Sequence, residues 1–170
     1  KNQKLEIKLK QANVIFNLVC SSLVVLLPLI LYYSTGTVET SVSAYHNTSA
    51  KYILLFSLIL VSISYWVSEN PGSSILLLGV ATFNMEDFVI IHYTFAVAFF
   101  LYTTYHIVKD KRFRYLGYPV IASTFLIPYI TFFWFEVIAI LSFAIHSVLY
   151  SIKKLKVIKV RNKNVITQRH

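Results

Sequence analysis

The feature that most constrains this chain is an apolar run from Phe88 to Val108, which no charged residue interrupts. The acidic pair Glu86 and Asp87 precedes the run, and the basic segment 109–114 follows it. About 20 consecutive apolar residues are enough for an α-helix to cross the hydrocarbon core of a bilayer. The run therefore predicts a transmembrane helix with positive charge at its C-terminal end.

The composition extends this prediction to the whole chain. Of the 170 residues, 56% are hydrophobic and only 14% are charged, and the mean hydropathy is +0.64. A soluble domain of this length could not bury that much apolar surface, so we expect an all-α integral membrane protein. The net charge is +9, but the basic residues lie at the ends of apolar runs, where membrane topology explains them. No nucleic-acid partner is therefore expected.

Five further apolar segments accompany the central run, at residues 12–33, 51–68, 73–83, 113–131 and 134–152. The first is too long for the apolar core of a signal peptide, and we interpret it as a retained span. These segments predict a basic cytoplasmic lead-in at 1–11, a six-helix transmembrane domain at 12–152 and a basic cytoplasmic tail at 153–170. We expect the tail to be partly disordered beyond Val160.

The short segment 73–83 decides between five spans and six. Cytoplasmic loops carry an excess of lysine and arginine. If this segment crosses, fifteen of the 16 basic residues lie on one side and only Lys51 lies on the other. The sequence thus predicts a six-transmembrane-helix bundle with both termini cytoplasmic, multi-pass in the inner (plasma) membrane. Its third helix is short, at about 20 Å.

This topology gathers potential metal ligands in the outer third of the membrane. They are His46, Glu86, Asp87, His92 and Glu136. Imidazole and carboxylate groups suit zinc, and an open coordination position activates water. A zinc-dependent membrane hydrolase is therefore one alternative, although no compact His-Glu-x-x-His motif is present. The sequence assigns no catalytic residue and leaves open whether the protein is an enzyme.

Two histidines on the central helix suggest a different cofactor. His92 and His106 are 14 residues apart, so both rings leave one helix face about 21 Å apart. With His46 and His146 as opposite ligands, such a pair would hold two b haems, one near each side of the membrane. A b-type dihaem electron-transfer protein is the second alternative, and the scarcity of glycine, with four in the chain, weighs against it.

Glu136 and His92 also stand at a similar predicted depth, near the outer ends of the sixth and fourth helices. Opposite charges attract strongly in a medium of low dielectric constant, and losing one partner leaves the other buried without compensation. We therefore expect these two side chains to be direct partners.

The segment Ser41-Val-Ser-Ala-Tyr-His-Asn-Thr48 resembles the Ser-Ile-Ser-x-Tyr-Tyr motif of an uncharacterised family of small polytopic bacterial inner-membrane proteins. The resemblance continues through residues 79–83, 91–93 and 136–147. It implies about six spans and no established activity. The chain departs from the family at His46, where the family has tyrosine, and at His106, where it has an apolar residue.

The function that these observations favour is non-catalytic. We expect a small membrane subunit or accessory that binds lipid or partner helices, with the bilayer, other membrane subunits or copies of itself as partners. The zinc hydrolase and the dihaem protein stay open as alternatives, with zinc or haem b as their cofactors.

Overall fold

The computed structural model describes residues 2–167, and the side chains of residues 5–160. Within that range the fold consists of helices and has no strand, which confirms the all-α class. The six α-helices are α1 (Asn2–Thr35), α2 (Lys51–Val67), α3 (Pro71–Thr82), α4 (Val89–Lys109), α5 (Tyr118–Leu126) and α6 (Phe132–Thr167). Two short 3₁₀ helices, Ser43–Asn47 and Arg114–Leu116, lie in the connections.

The helices have two distinct ends. Asn17 of α1 bonds to Ser151 of α6, whereas the segment after α1 meets the start of α6 through a bond from the Phe133 N–H to the Thr40 carbonyl at 2.9 Å. The two longest helices are therefore antiparallel. We call the end that contains residues 36–50, 83–88 and 127–131 the loop end. The opposite end, with residues 68–70 and 110–117 and the charged parts of α1 and α6, is the basic end.

In the part of the chain that the structure describes, two helical stretches are long and apolar enough to cross a membrane, Leu5–Thr35 and Phe132–Val160. The helices α2 and α3 are apolar but shorter. The predicted fifth span at 113–131 is not one helix, because α5 has only nine residues and rises about 14 Å. Pro128 explains its early end, since proline has no N–H to donate to the carbonyl of the preceding helical turn.

Both terminal helices extend beyond the predicted apolar segments. The helix α1 starts at Asn2, so no structural boundary separates the lead-in from the first apolar run. Lys10 pairs with Glu6 one turn away at 2.8 Å, a spacing that supports exposed helix. The helix α6 continues to Thr167, so the predicted disorder beyond Val160 is wrong for the residues that the structure describes.

A buried polar cluster joins α1, α2 and α6 in the interior. Asn17 is only 4% exposed, and its carbonyl oxygen accepts a hydrogen bond from the Ser64 hydroxyl. Its amide group donates to the hydroxyls of Ser147 at 3.0 Å and Ser151 at 2.7 Å. Ser21, one turn further along α1, donates to Ser147 at 2.8 Å. One asparagine thus satisfies polar groups from two other helices.

Two glycines set the packing of α3 against α4. A Cβ atom added at Gly72 would lie 2.4 Å from the ring of Tyr102, and one added at Gly79 would lie 2.3 Å from the ring of Phe95. The glycines are seven residues apart, and so are the two aromatic residues. Each ring therefore occupies space that only glycine leaves free, and the two contacts together fix how α3 aligns with α4.

We expect Asn17→Ala to lower the free energy of unfolding by about 1–2 kcal/mol, because a hydrogen bond within a protein contributes about 0.5–1.5 kcal/mol net and the amide of Asn17 makes several. Thermal unfolding in detergent micelles measures the loss. Asn13→Ala, one turn earlier on α1 and half-buried, is the matched control. Equal effects of the two substitutions would contradict a special role for the Asn17 cluster.

Candidate functional site

Glu136 is the buried carboxylate of the loop end. It lies in the first turns of α6 and is 3% exposed. Its side chain accepts a hydrogen bond from the backbone N–H of Val42, and its other oxygen lies 3.3 Å from the Ser43 hydroxyl. A buried carboxylate needs such donors, because burial without partners is costly. Glu136 thus anchors the loop between α1 and α2 to the bundle.

The motif that carries the family resemblance is the part of the chain that Glu136 holds. The Ser41 hydroxyl accepts the N–H of Ala44 at 3.0 Å and starts the 3₁₀ turn. Tyr45 is completely buried, and its hydroxyl donates to the Thr37 carbonyl at 2.8 Å. Its ring belongs to an apolar cluster with residues of α1, α2 and α6. The serines and the tyrosine of the motif therefore have identifiable structural roles.

His92 has a backbone partner as well. Its Nδ1 atom lies 2.7 Å from the carbonyl oxygen of Phe83, the residue that follows α3. A carbonyl can only accept, so Nδ1 must carry the proton. The expected direct pair of Glu136 and His92 is wrong, because each side chain bonds to the backbone of a neighbouring connection instead. Sequence patterns do not reveal such backbone donors and acceptors.

The other predicted ligands of the loop end do not converge. His46 is half-buried, and burial together with nearby Lys51 and His92 lowers its pKa below the usual value, against the opposing effect of Glu86. Glu86 is exposed, and Asp87 accepts a hydrogen bond from the Asn84 amide at 2.7 Å. Among the described residues, no three His, Cys, Asp or Glu side chains are close enough to hold a metal. The predicted zinc site stays a prediction.

At the basic end, His106 and His146 line one cavity of about 240 Å³. His146 faces the carboxylate of Asp110, and His146 Nε2 lies 3.6 Å from Asp110 Oδ2. The structure therefore places the two predicted inner histidines around a common space, whereas the dihaem arrangement itself stays a prediction. Sequence reasoning missed Asp110, although its spacing of four residues from His106 places both on one helix face.

Part of the chain is similar to a known family of proteins. Residues 72–151 match a family of unknown function, DUF7103. The matched part runs from the start of α3 into α6 and includes His92, Glu136 and His146. It agrees with the expectation of an uncharacterised family, but the motif at 41–48 lies outside it. No curated protein and no solved structure matches the chain.

We expect Glu136→Ala to release the 40–45 segment, because a buried donor left without its acceptor costs about 1–3 kcal/mol. Hydrogen exchange followed by mass spectrometry should show faster exchange in that segment, and Tm should fall. Glu136→Gln keeps one acceptor oxygen and should have a smaller effect. Glu86→Ala, at an exposed carboxylate of the same end, is the control. Unchanged exchange in Glu136→Ala would mean that the carboxylate does not hold the loop.

Proposed function

We propose that this protein is a six-span, multi-pass inner-membrane protein with both termini in the cytoplasm. In this proposal it acts as a non-catalytic membrane subunit or accessory that binds lipid or partner helices. The observation that carries the proposal is the apolar outer surface of the helices. This surface needs a covering of lipid chains or of other apolar helices.

Every α-helix contributes large exposed apolar side chains to that surface. Examples, one from each helix in order, are Leu23, Phe56, Ile75, Leu101, Phe125 and Trp134, which are between 52% and 77% exposed. Soluble monomeric proteins rarely expose contiguous apolar patches larger than a few hundred Å². The interior, by contrast, contains the Asn17 cluster and Glu136. Apolar exteriors around a core with a few paired polar groups suit a bilayer.

The distribution of charge supports the orientation. The lysines and arginines of 109–114, and those described in the terminal helices, lie at the basic end, whereas Lys51 follows the loop-end 3₁₀ helix. An excess of basic residues marks the cytoplasmic side. The alternation of loop-end and basic-end connections along the chain is what six crossings require.

Two short helices support a role as a subunit rather than an isolated protein. The helix α3 rises about 18 Å and α5 about 14 Å, both well below the hydrocarbon thickness of about 30 Å. A short helix is accommodated by local thinning of the bilayer or by association with other helices. Because Phe125 of α5 is 77% exposed, we place the partner surface at α5.

The buried ionisable groups of the loop end support a non-catalytic role. Glu136 and His92 are the buried ionisable groups there, and both are engaged with backbone atoms of connecting segments. Because these side chains already bond to the backbone, they stabilise the fold and are less available to bind a substrate or react with it.

Site-specific photo-crosslinking in cells tests the subunit role. A photoreactive residue at position 125 should form an adduct of one discrete protein mass, and the same residue at position 23 of α1 should not. Adducts of lipid mass at both positions would contradict a partner surface at α5. Metal-dependent hydrolysis of a lipid ester or amide by the purified protein would contradict the non-catalytic role.

Cysteine accessibility tests the topology. In a Cys20→Ala background, His46→Cys and Val160→Cys should react with an impermeant thiol reagent from opposite sides of inverted and right-side-out vesicles. The loop-end cysteine should be labelled from outside and the α6 cysteine from the cytoplasmic side. Labelling of both from the same side would rule out the six-span arrangement.

A further inference from the structure

The basic end contains a cavity of about 240 Å³ whose wall combines imidazole, carboxylate and hydroxyl groups. His106 and Asp110 of the α4 end, His146 of α6 and Glu69 of the α2–α3 turn all line it. Two imidazoles and two carboxylates around one small space is an unusual concentration of ionisable groups for a chain in which only 14% of residues are charged. Ionisable groups within membrane proteins more often serve function than packing.

His146 supplies the most specific sign of a ligand. Its Nε2 atom is buried and has no hydrogen-bond partner within the part of the chain that the structure describes. The ring is held from two sides, by Tyr150 stacked at a centroid distance of 6.2 Å and by Phe113 edge-on at 5.8 Å. Buried polar atoms in native proteins are paired, so this nitrogen is available to a ligand that enters the cavity.

Asp110 presents an oxygen to the same space. Its Oδ1 atom accepts the backbone N–H of Arg112 at 3.1 Å, which orients the carboxylate. Its Oδ2 atom lies 3.6 Å from His146 Nε2, too far for a good hydrogen bond. In a tetrahedral zinc site with bonds of about 2.0–2.2 Å, neighbouring donor atoms are roughly 3.3–3.6 Å apart. The two atoms are thus separated as two ligands of one metal are.

His106 stands one helical turn from Asp110. The Asp110 N–H bonds to the His106 carbonyl at 3.2 Å, so the two residues keep the spacing of neighbours on one helix face. The His106 side chain is exposed and its ring lies 4.6 Å from that of Tyr102. Side chains four residues apart on a helix have Cβ atoms about 5–6 Å apart, a separation that two ligands of one ion can share.

The turn at the cavity mouth is also unusual. Glu69 has a φ of +66°, a left-handed conformation that favours glycine. It ends α2 in a Schellman arrangement, with the Glu69 N–H bonded to Trp66 and the Asn70 N–H bonded to Tyr65. Non-glycine residues in this conformation cluster at ligand sites. Glu69 also lies 3.9 Å from Lys154, so its carboxylate has a competing partner and is not assigned as a ligand.

We propose that Asp110 and His146 form the core of a divalent transition-metal site at the basic end, with His106 closing on the ion as the third ligand. Two imidazoles and one carboxylate favour zinc and related borderline metals over Mg²⁺ or Ca²⁺. In this conformation Asp110 and His146 are close together and His106 is not yet beside them. This agrees with the finding that no three potential ligands are close enough to hold a metal among the described residues. Three protein donors leave one coordination position for water or another ligand.

Titration of the purified, tag-free full chain with Co²⁺ tests the site. Chelator-treated protein in detergent should bind one equivalent of Co²⁺ and develop visible d–d absorption, and Zn²⁺ should displace it. Asp110→Asn and His146→Ala should each weaken binding by more than about tenfold, since even outer-shell partners of metal sites contribute about 10–100-fold. His106→Ala should weaken binding and change the shape of the spectrum.

The loop-end variant His46→Ala is the matched control and should bind as the wild type does. If His146→Ala fails to fold, Asp110→Asn decides the matter, because the amide keeps the size of the carboxylate. Two outcomes would overturn the proposal. One is the absence of saturable, stoichiometric binding, and the other is binding that Asp110→Asn and His146→Ala leave unchanged.

Discussion

The hydrogen bonds of Asn17 are the interaction on which the interior depends. In the bilayer that we propose for this protein, apolar side chains cannot hold one helix against another by the hydrophobic effect alone, because lipid chains are equally apolar. The amide of Asn17 bonds to hydroxyls of α2 and α6 at once and leaves none of its own atoms unpaired. It therefore selects one arrangement of three helices among many of similar apolar contact.

The all-α class could be predicted from sequence because it follows from the lengths and spacing of apolar runs. The positions at which the helices end were harder to predict. The chain after α5 turns at Pro128, while the charged ends of α1 and α6 remain helical, since lysine and glutamate are good helix formers. The pairing of Asn17 with Ser147 and Ser151 was missed as well. Serines four residues apart on α6, facing a single asparagine on α1, were the available signal.

In the candidate sites as well, the sequence indicated important residues but not the atoms that they contact. The sequence marked Glu136 and His92 as important, but their partners are backbone atoms of Val42 and Phe83, which no side-chain pattern encodes. At the basic end, no sequence pattern indicated the contact between α6 and the residue that follows α4. That residue, Asp110, appears in the sequence as one charge within a basic segment and lies beside His146. Tertiary contact, rather than residue type, distinguishes it from the charges around it.

The matched spacing of Gly72 with Gly79, and of Phe95 with Tyr102, has a consequence for how this protein can change over time. An insertion or deletion of one residue between the two glycines would turn one of them away from α4 by about 100°. A single-residue length change in either helix would therefore have to be matched by one in the other. Substitutions on the side of α3 that faces away from α4 are free of this constraint. Evolution should therefore change the outer face of this hairpin freely and its length hardly at all.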